Sequence, residues 1–366
     1  MVLSRAALKG IAAYEYHPGA LTWLDTKFNL YWNAIVNVLP AWLAPNVITL
    51  VGTAITVSTS LAFFQSVPSM TETAPFHMYL LCAIGLFLYQ TCDAVDGKQA
   101  RRTGSSSPLG QLLDHGGDAI CNVFSNLAVG VAIGTGPTSG LLLLLSSTSV
   151  VFFLAQWEEY HTGTLRCGNG YVGVTEGLLL LMALHIVTAF LGHVFWDARI
   201  TSTLSVRDGL LLLVAVAMTL QGVDNIQMVC AAMDKKTPRG SKTQALLQLM
   251  PTASIVLGSI VWMLHDDVAA YGYPFFLAIG LSHAMLSSRM IVCHMCKIPF
   301  AGHADVVCLL GAALAALVST SRVHGAFIAT VYLSVVVVVH GCYMACVVRE
   351  IGAYLGIALW RIKTKN

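Results

Sequence analysis

The sequence predicts an all-α integral membrane protein of about ten transmembrane helices, preceded by an amphipathic helix lying in the membrane interface. Three observations lead there. Of 366 residues, 56% are hydrophobic and 10% charged, with a mean hydropathy of +0.72, whereas a soluble domain carries about 25% charged residues. Apolar stretches recur at the length that crosses a hydrocarbon core, about 20 residues. The basic residues then sort to one side of the spans so defined.

Taken in order, residues 1–45 form an N-terminal cytosolic segment. Arg5, Lys9, Glu15, Asp25 and Lys27 interrupt it, so it lacks the apolar core and small-residue cleavage site of a signal peptide, and the first span serves as the address. Within it, residues 21–39 mix Trp23, Phe28, Tyr31 and Trp32 with Asp25, Lys27 and Asn33. That blend predicts an interfacial helix with aromatic anchors. Spans are expected at 47–65, 77–93, 108–134, 139–156, 174–195, 208–232, 245–264, 273–294, 303–321 and 326–347. Residues 46–348 read as one membrane domain and 349–366 as a cytosolic tail.

An even span count puts both ends on one side. With that side cytosolic, every basic residue except Arg199, Arg207 and Arg322 falls inside, as positive-inside insertion requires. The formal net charge of +2 is too small for a nucleic-acid partner. The cysteines are scattered; Cys293 and Cys296 form a CxxC with no second pair at zinc spacing, and they read as buried thiols.

Ionisable residues inside spans are costly and mark function by default. Asp93 and Asp96 close the second span, and Asp114 and Asp118 open the third. On an ideal helix the first pair is separated by about 60° and the second by about 40°, so each pair shares a face. Four facing carboxylates repel unless a cation lies between them, and hard oxygen ligands suit Mg²⁺ or Mn²⁺. Gly97, Ala100, Arg101 and Arg102 lie between the pairs, combining small residues for close approach with a guanidinium fork for phosphate. Ser105, Ser106, Ser107 and Pro108 supply helix-start chemistry. The pattern points to a metal-bound diphosphate ligand; the acids alone also fit an ion pathway or structural ion pairs.

The stretch Asp93–Asp118, DAVDGKQARRTGSSSPLGQLLDHGGD, resembles the signature of the CDP-alcohol phosphotransferases, D-x2-D-G-x2-A-R-x8-G-x3-D-x3-D, at every fixed position: Asp93, Asp96, Gly97, Ala100, Arg101, Gly110, Asp114 and Asp118. Residues 29–50, 155–165 and, more loosely, 289–297 resemble the eukaryotic choline/ethanolamine phosphotransferases. The resemblance implies the family fold and a site facing the cytosol. It also implies a homodimer, a multi-pass protein of the endoplasmic reticulum or Golgi, and transfer of phosphocholine or phosphoethanolamine from CDP-choline or CDP-ethanolamine to diacylglycerol or alkyl-acylglycerol. It assigns the four aspartates to two divalent ions. Gly97, Ala100 and Gly110 fall on the nucleotide side and Arg101 on phosphate. Asn46 takes a nucleotide-side role or caps the first span.

His115 resembles the family's base, or serves as a packing or outer ligand-shell residue. The relatives read GELFDH where this chain reads GQLLDH, so Gln111 stands one turn before His115 in place of a carboxylate. The resemblance also places Trp157, Glu158, Tyr160 and Glu176 near the alcohol headgroup; as residues alone they equally read as solvated loop groups. Rival readings are a shorter family enzyme that joins CDP-diacylglycerol to inositol or serine, and an ion-coupled transporter. The span count argues against the first and the crowding of acids in one place against the second.

Overall fold

The computed structural model describes residues 2–166, 168, 170, 172–234, 241–265, 271–300 and 325–362. Among the described residues there are twelve helices and no strand beyond isolated bridges. They are α1 Arg5–Ala12, α2 Trp23–Val38, α3 Pro45–Ser66, α4 Phe76–Thr103, α5 Pro108–Ala132, α6 Ser139–Thr162, α7 Val174–Asp197, α8 Val206–Asp234, α9 Lys242–Leu247, α10 Met250–His265, α11 Gly272–Met295 and α12 Gly325–Leu355.

Eight segments among the described residues are long and apolar enough to cross a membrane, α9 and α10 acting together as one. The protein is a multi-pass membrane protein. The expected third span, α5, has the length but not the apolarity, because Asp114, His115 and Asp118 crowd its first half and Asn122 follows. The expected span at 303–321 lies outside the described residues. The seventh is broken near Gln248, and α7 kinks at Gly192, whose φ of 68° is non-helical.

α2 forms where the aromatic-rich segment predicts, opened by a reciprocal Thr22–Asp25 capping box. Trp23 is exposed as an anchor should be, but Trp32 turns inward to pack with Val36, Ile48 and Val95. It is a docking residue rather than an anchor. Asp25 also accepts from Thr175 Oγ1 at 2.6 Å, tying α2 to α7.

Burial separates the centre of the bundle from its rim. The apolar window of α11 is 94% buried, against 11% for α8, so α11 is the post and α8 faces outward. α5, α6, α10 and α12 pack around α11, and α3 packs on both α4 and α5. A Cβ on Gly117 of α5 would lie 2.7 Å from Thr53 Oγ1 of α3. Glycine there lets the acid-bearing helix seat closely on its neighbour. Among the described cysteines, Cys82, Cys121 and Cys296 are buried as expected, but Cys342 is exposed.

Candidate active site

Hydropathy collapses at Asp93, but the helix does not stop there. α4 runs unbroken to Thr103 and ends at Gly104, whose φ of 62° directs its N–H back to Ala100 and Arg101. The acids thus sit on two helices, each pair on one helix as the spacing predicts, and α4 continues ten residues beyond the apolar stretch expected to end at 93. Three residues later Ser107 caps α5, accepting from Gly110 N–H at 3.1 Å, with Pro108 in the first turn as expected.

This short turn sets the ends of α4 and α5 side by side. Asp93, Asp114 and Asp118 each present a carboxylate oxygen, all within 4.8 Å of one another. Tyr89, one turn before Asp93, donates its hydroxyl to Asp118 Oδ1 at 2.6 Å. Asp96 is buried, and its Oδ2 accepts from Thr49 Oγ1 of α3 instead of joining that trio. Asp114 Oδ1 is buried and finds no hydrogen-bond partner among the described residues. An orphaned carboxylate oxygen facing two further carboxylates is poorly stable by itself. The donor set, oxygen only and anionic, fits a hard divalent cation.

Thr49 and Tyr89 escaped the sequence reading. Their signal was spacing: Tyr89 precedes Asp93 by four residues and Thr49 follows Asn46 by three, intervals that share a helix face.

Asn46 does not cap α3. Ala44 holds that position without a side-chain bond, Pro45 occupies the first turn, and Asn46 Nδ2 donates to the Leu359 carbonyl at 3.3 Å. Its Oδ1 lies 3.2 Å from where a Gly110 Cβ would project, so Asn46 and Gly110 meet. At the end of α4, Lys98 donates to Asn29 and Asn33 at 2.7 and 3.0 Å, Gln99 to the Pro40 and Leu43 carbonyls, and Arg102 to the Val36 and Leu39 carbonyls. That face is spent on holding α2 and its exit. Gly97 and Ala100 remain half-buried, and the exposed Arg101 places Nη1 beside Gly97.

His115 is buried, and Gln111 Nε2 donates to its Nε2 at 2.5 Å. The Tyr16 ring stands edge-on to the imidazole with centroids 5.7 Å apart.

The last turns of α6 are not solvated. Trp157, Glu158, Glu159, Tyr160 and His161 are all buried. Trp157 Nε1 donates to Gln248 Oε1 at 3.0 Å, and Tyr160 donates to the Ile298 carbonyl. Glu158 accepts from both Arg166 and Asn225 Nδ2, and Arg166 reaches on to Asp224 at 2.8 Å. The Glu158 bond holds the Arg166 guanidinium's pKa above its ordinary value against the opposing effect of burial, and the Glu158 and Asp224 charges add to the rise. Glu176 caps α7 through the Gly173 N–H at 2.8 Å. Tyr14 donates to Glu159 Oε1 at 3.4 Å; burial pushes its hydroxyl pKa up, and the Glu159 charge adds to that.

The sequence profile of the CDP-alcohol phosphatidyltransferase family matches residues 42–221, which include all four aspartates. Cholinephosphotransferase 1 of Xenopus laevis is 34% identical over 302 residues, covering 81% of this chain and 74% of that protein. Choline/ethanolaminephosphotransferase 1 of Arabidopsis thaliana is 33% identical over 285 residues, 74% of this chain and 72% of that protein. Cholinephosphotransferase 1 of Homo sapiens is 41% identical over 199 residues, a match spanning 48% of its length. With the signature aspartates gathered at the joined ends of two helices and relatives matched along most of its length, the chain belongs to the CDP-alcohol phosphotransferase family.

Proposed function

We propose that the protein transfers phosphocholine or phosphoethanolamine from CDP-choline or CDP-ethanolamine to diacylglycerol, yielding the corresponding phospholipid and CMP. The observation that carries this is the convergence of Asp93, Asp114 and Asp118, with an orphaned buried oxygen on Asp114. The names of the similar cholinephosphotransferase and choline/ethanolaminephosphotransferase support the donor class.

In this proposal the trio, with Asp96 held behind it by Thr49, binds two divalent ions, Mg²⁺ or Mn²⁺. Bound there, such a pair neutralises the diphosphate and the charge on departing CMP. Gly97, Ala100 and Gly110 leave a low surface for the nucleotide, and Asn46 contacts it from α3. Arg101 offers two N–H groups to phosphate. His115 takes the proton from the attacking hydroxyl of diacylglycerol at Nε2 once that hydroxyl replaces the Gln111 amide there, and Gln111 holds the imidazole in place before substrate arrives. Trp157, Glu158, Tyr160 and Glu176 form the wall behind the headgroup, since their polar atoms are engaged with protein partners.

The distribution of lysine and arginine supports a site, and both ends of the chain, on the cytosolic side. The family resemblance supports residence in the endoplasmic reticulum or Golgi, a homodimer, and a membrane domain over residues 46–348. Purified protein supplied with diacylglycerol and Mg²⁺ or Mn²⁺ is expected to release CMP from CDP-choline or CDP-ethanolamine. Release only from CDP-diacylglycerol, with inositol or serine as acceptor, would replace this reading with the other family chemistry.

A further inference from the structure

The first nineteen residues are tied across the end of the bundle that carries the aspartates. Leu8 and Ile11 of α1 are buried with Leu109 of α5, Met295 of α11 and Ile351 of α12. The Val2 and Leu3 N–H groups both donate to the Glu350 carboxylate at 2.8 Å. Beyond α1, Lys297 Nζ donates to the Ala13 carbonyl at 3.0 Å, and Tyr14 reaches Glu159. The chain then pairs with the turn after α6: Leu165 N–H donates to His17 at 3.1 Å and Gly19 N–H to Leu165 at 2.7 Å.

Tyr16 stands between these anchors, fixed from two residues before and one after, with its ring edge-on to His115. Two glycines permit the course. A Cβ on Gly10 would lie 2.0 Å from the Cys296 carbonyl oxygen, and one on Gly19 would lie 2.8 Å from that of Leu165. Glycine inside a helix costs roughly 1 kcal/mol relative to alanine, and at Gly10 that cost is the condition for laying α1 against α11.

We infer that residues 13–19 form a strap over the site and that Tyr16 is a positioning residue for His115. Imidazole rotation about its second side-chain torsion is broad. A carboxylate one turn away would fix the ring by accepting its N–H, but the Gln111 amide presents a donor on one atom and an acceptor on the other, so it selects the ring orientation less strictly. The tyrosine edge supplies the missing constraint by excluding ring planes that would collide with it. This inference rests on the assignment of His115 made above.

The test measures CMP release by the full-length protein with whichever CDP-alcohol it turns over. Tyr16→Ala is expected to lower kcat by about tenfold or more, the scale of a small misplacement of a reacting group, with KM for the CDP-alcohol nearly unchanged. Tyr16→Phe keeps the ring edge and is expected to retain turnover. Added to His115→Ala, Tyr16→Ala is expected to cost nothing further, because residues acting through one another are not additive. Gly10→Ala, which lifts α1 from Cys296, is expected to lower kcat in the same direction. Full kcat in Tyr16→Ala alongside a loss in His115→Ala overturns the strap and leaves the base assignment standing. Losses that multiply in the double variant also overturn it. Full turnover in His115→Ala overturns the base assignment, and the positioning role with it.

Discussion

Tyr89 of α4 donates its hydroxyl to Asp118 of α5 at 2.6 Å, so a neutral donor engages one oxygen of a carboxylate that also faces Asp93 and Asp114. Partners of this kind orient a ligand, and losing one typically costs 10- to 100-fold in metal affinity or activity. Tyr89→Phe is therefore expected to raise the Mg²⁺ concentration needed for half-maximal CMP release by about tenfold. An unchanged Mg²⁺ titration would remove Tyr89 from the support of the site.

Single replacement of Asp93, Asp96, Asp114 or Asp118 by Ala is expected to abolish turnover while the protein still inserts, since lipid offers no substitute ligand. Thr49→Val, which strips Asp96 of its hydroxyl donor, is expected to be milder, a loss of about tenfold. Near-normal rates in two of the four alanine variants would contradict the metal assignment.

Metal binding is also expected to be visible without catalysis. A cation that binds only the folded state adds stability as its concentration rises above Kd, about 2.7 kcal/mol at a hundredfold excess. Mg²⁺ or Mn²⁺ should raise the melting temperature of the purified protein, and a chelator should reverse the rise. The same titration on Asp114→Ala should be flat; an equal rise there would place the ion elsewhere.

Arg101→Lys is expected to lose most activity, because an ammonium cannot present two parallel N–H donors to phosphate. The readout is kcat/KM for the CDP-alcohol, and wild-type values would take Arg101 off the phosphate.

Arg166→Met leaves the buried carboxylate of Glu158 without its cation, retaining among the described residues the Asn225 amide. Breaking a fully buried pair from one side typically costs about 3–5 kcal/mol, and the cost here is expected to be smaller because the Arg166 side chain is partly exposed. A clear fall in melting temperature is expected, and Glu158→Gln combined with Arg166→Met should recover part of it. No fall in the single variant would mean that the pair contributes little.

Much of the site was legible because it is local in the chain. The Ser107–Pro108 start of α5 and the pairing of acids across one short turn depend on residues a few positions apart. The exit of α4 was not legible because hydropathy reports where hydrocarbon ends, whereas the backbone continues helically through Gly97 and Ala100 to Gly104. The turn of Asp96 toward Thr49 depends on how α3 packs, which no spacing records. Glu158 and Trp157 resembled solvated groups because their partners, Asn225 and Gln248, come from helices far along the chain. Tyr16 carried no signal of its own: its meaning comes from two anchors and from Gly10, which in sequence looks only like a weak helix residue.

The Glu350 carboxylate that receives the Val2 and Leu3 amides has a temporal consequence. Translation delivers α1 early, and its receptor on α12 emerges nearly three hundred and fifty residues later. Throughout synthesis the apolar face of α1 has no finished surface to rest on, and the strap can be laid only after the rest of the bundle has been threaded into the bilayer. A chain released before α12 would lack the partner that holds α1, so assembly of this end is coupled to synthesis of α12.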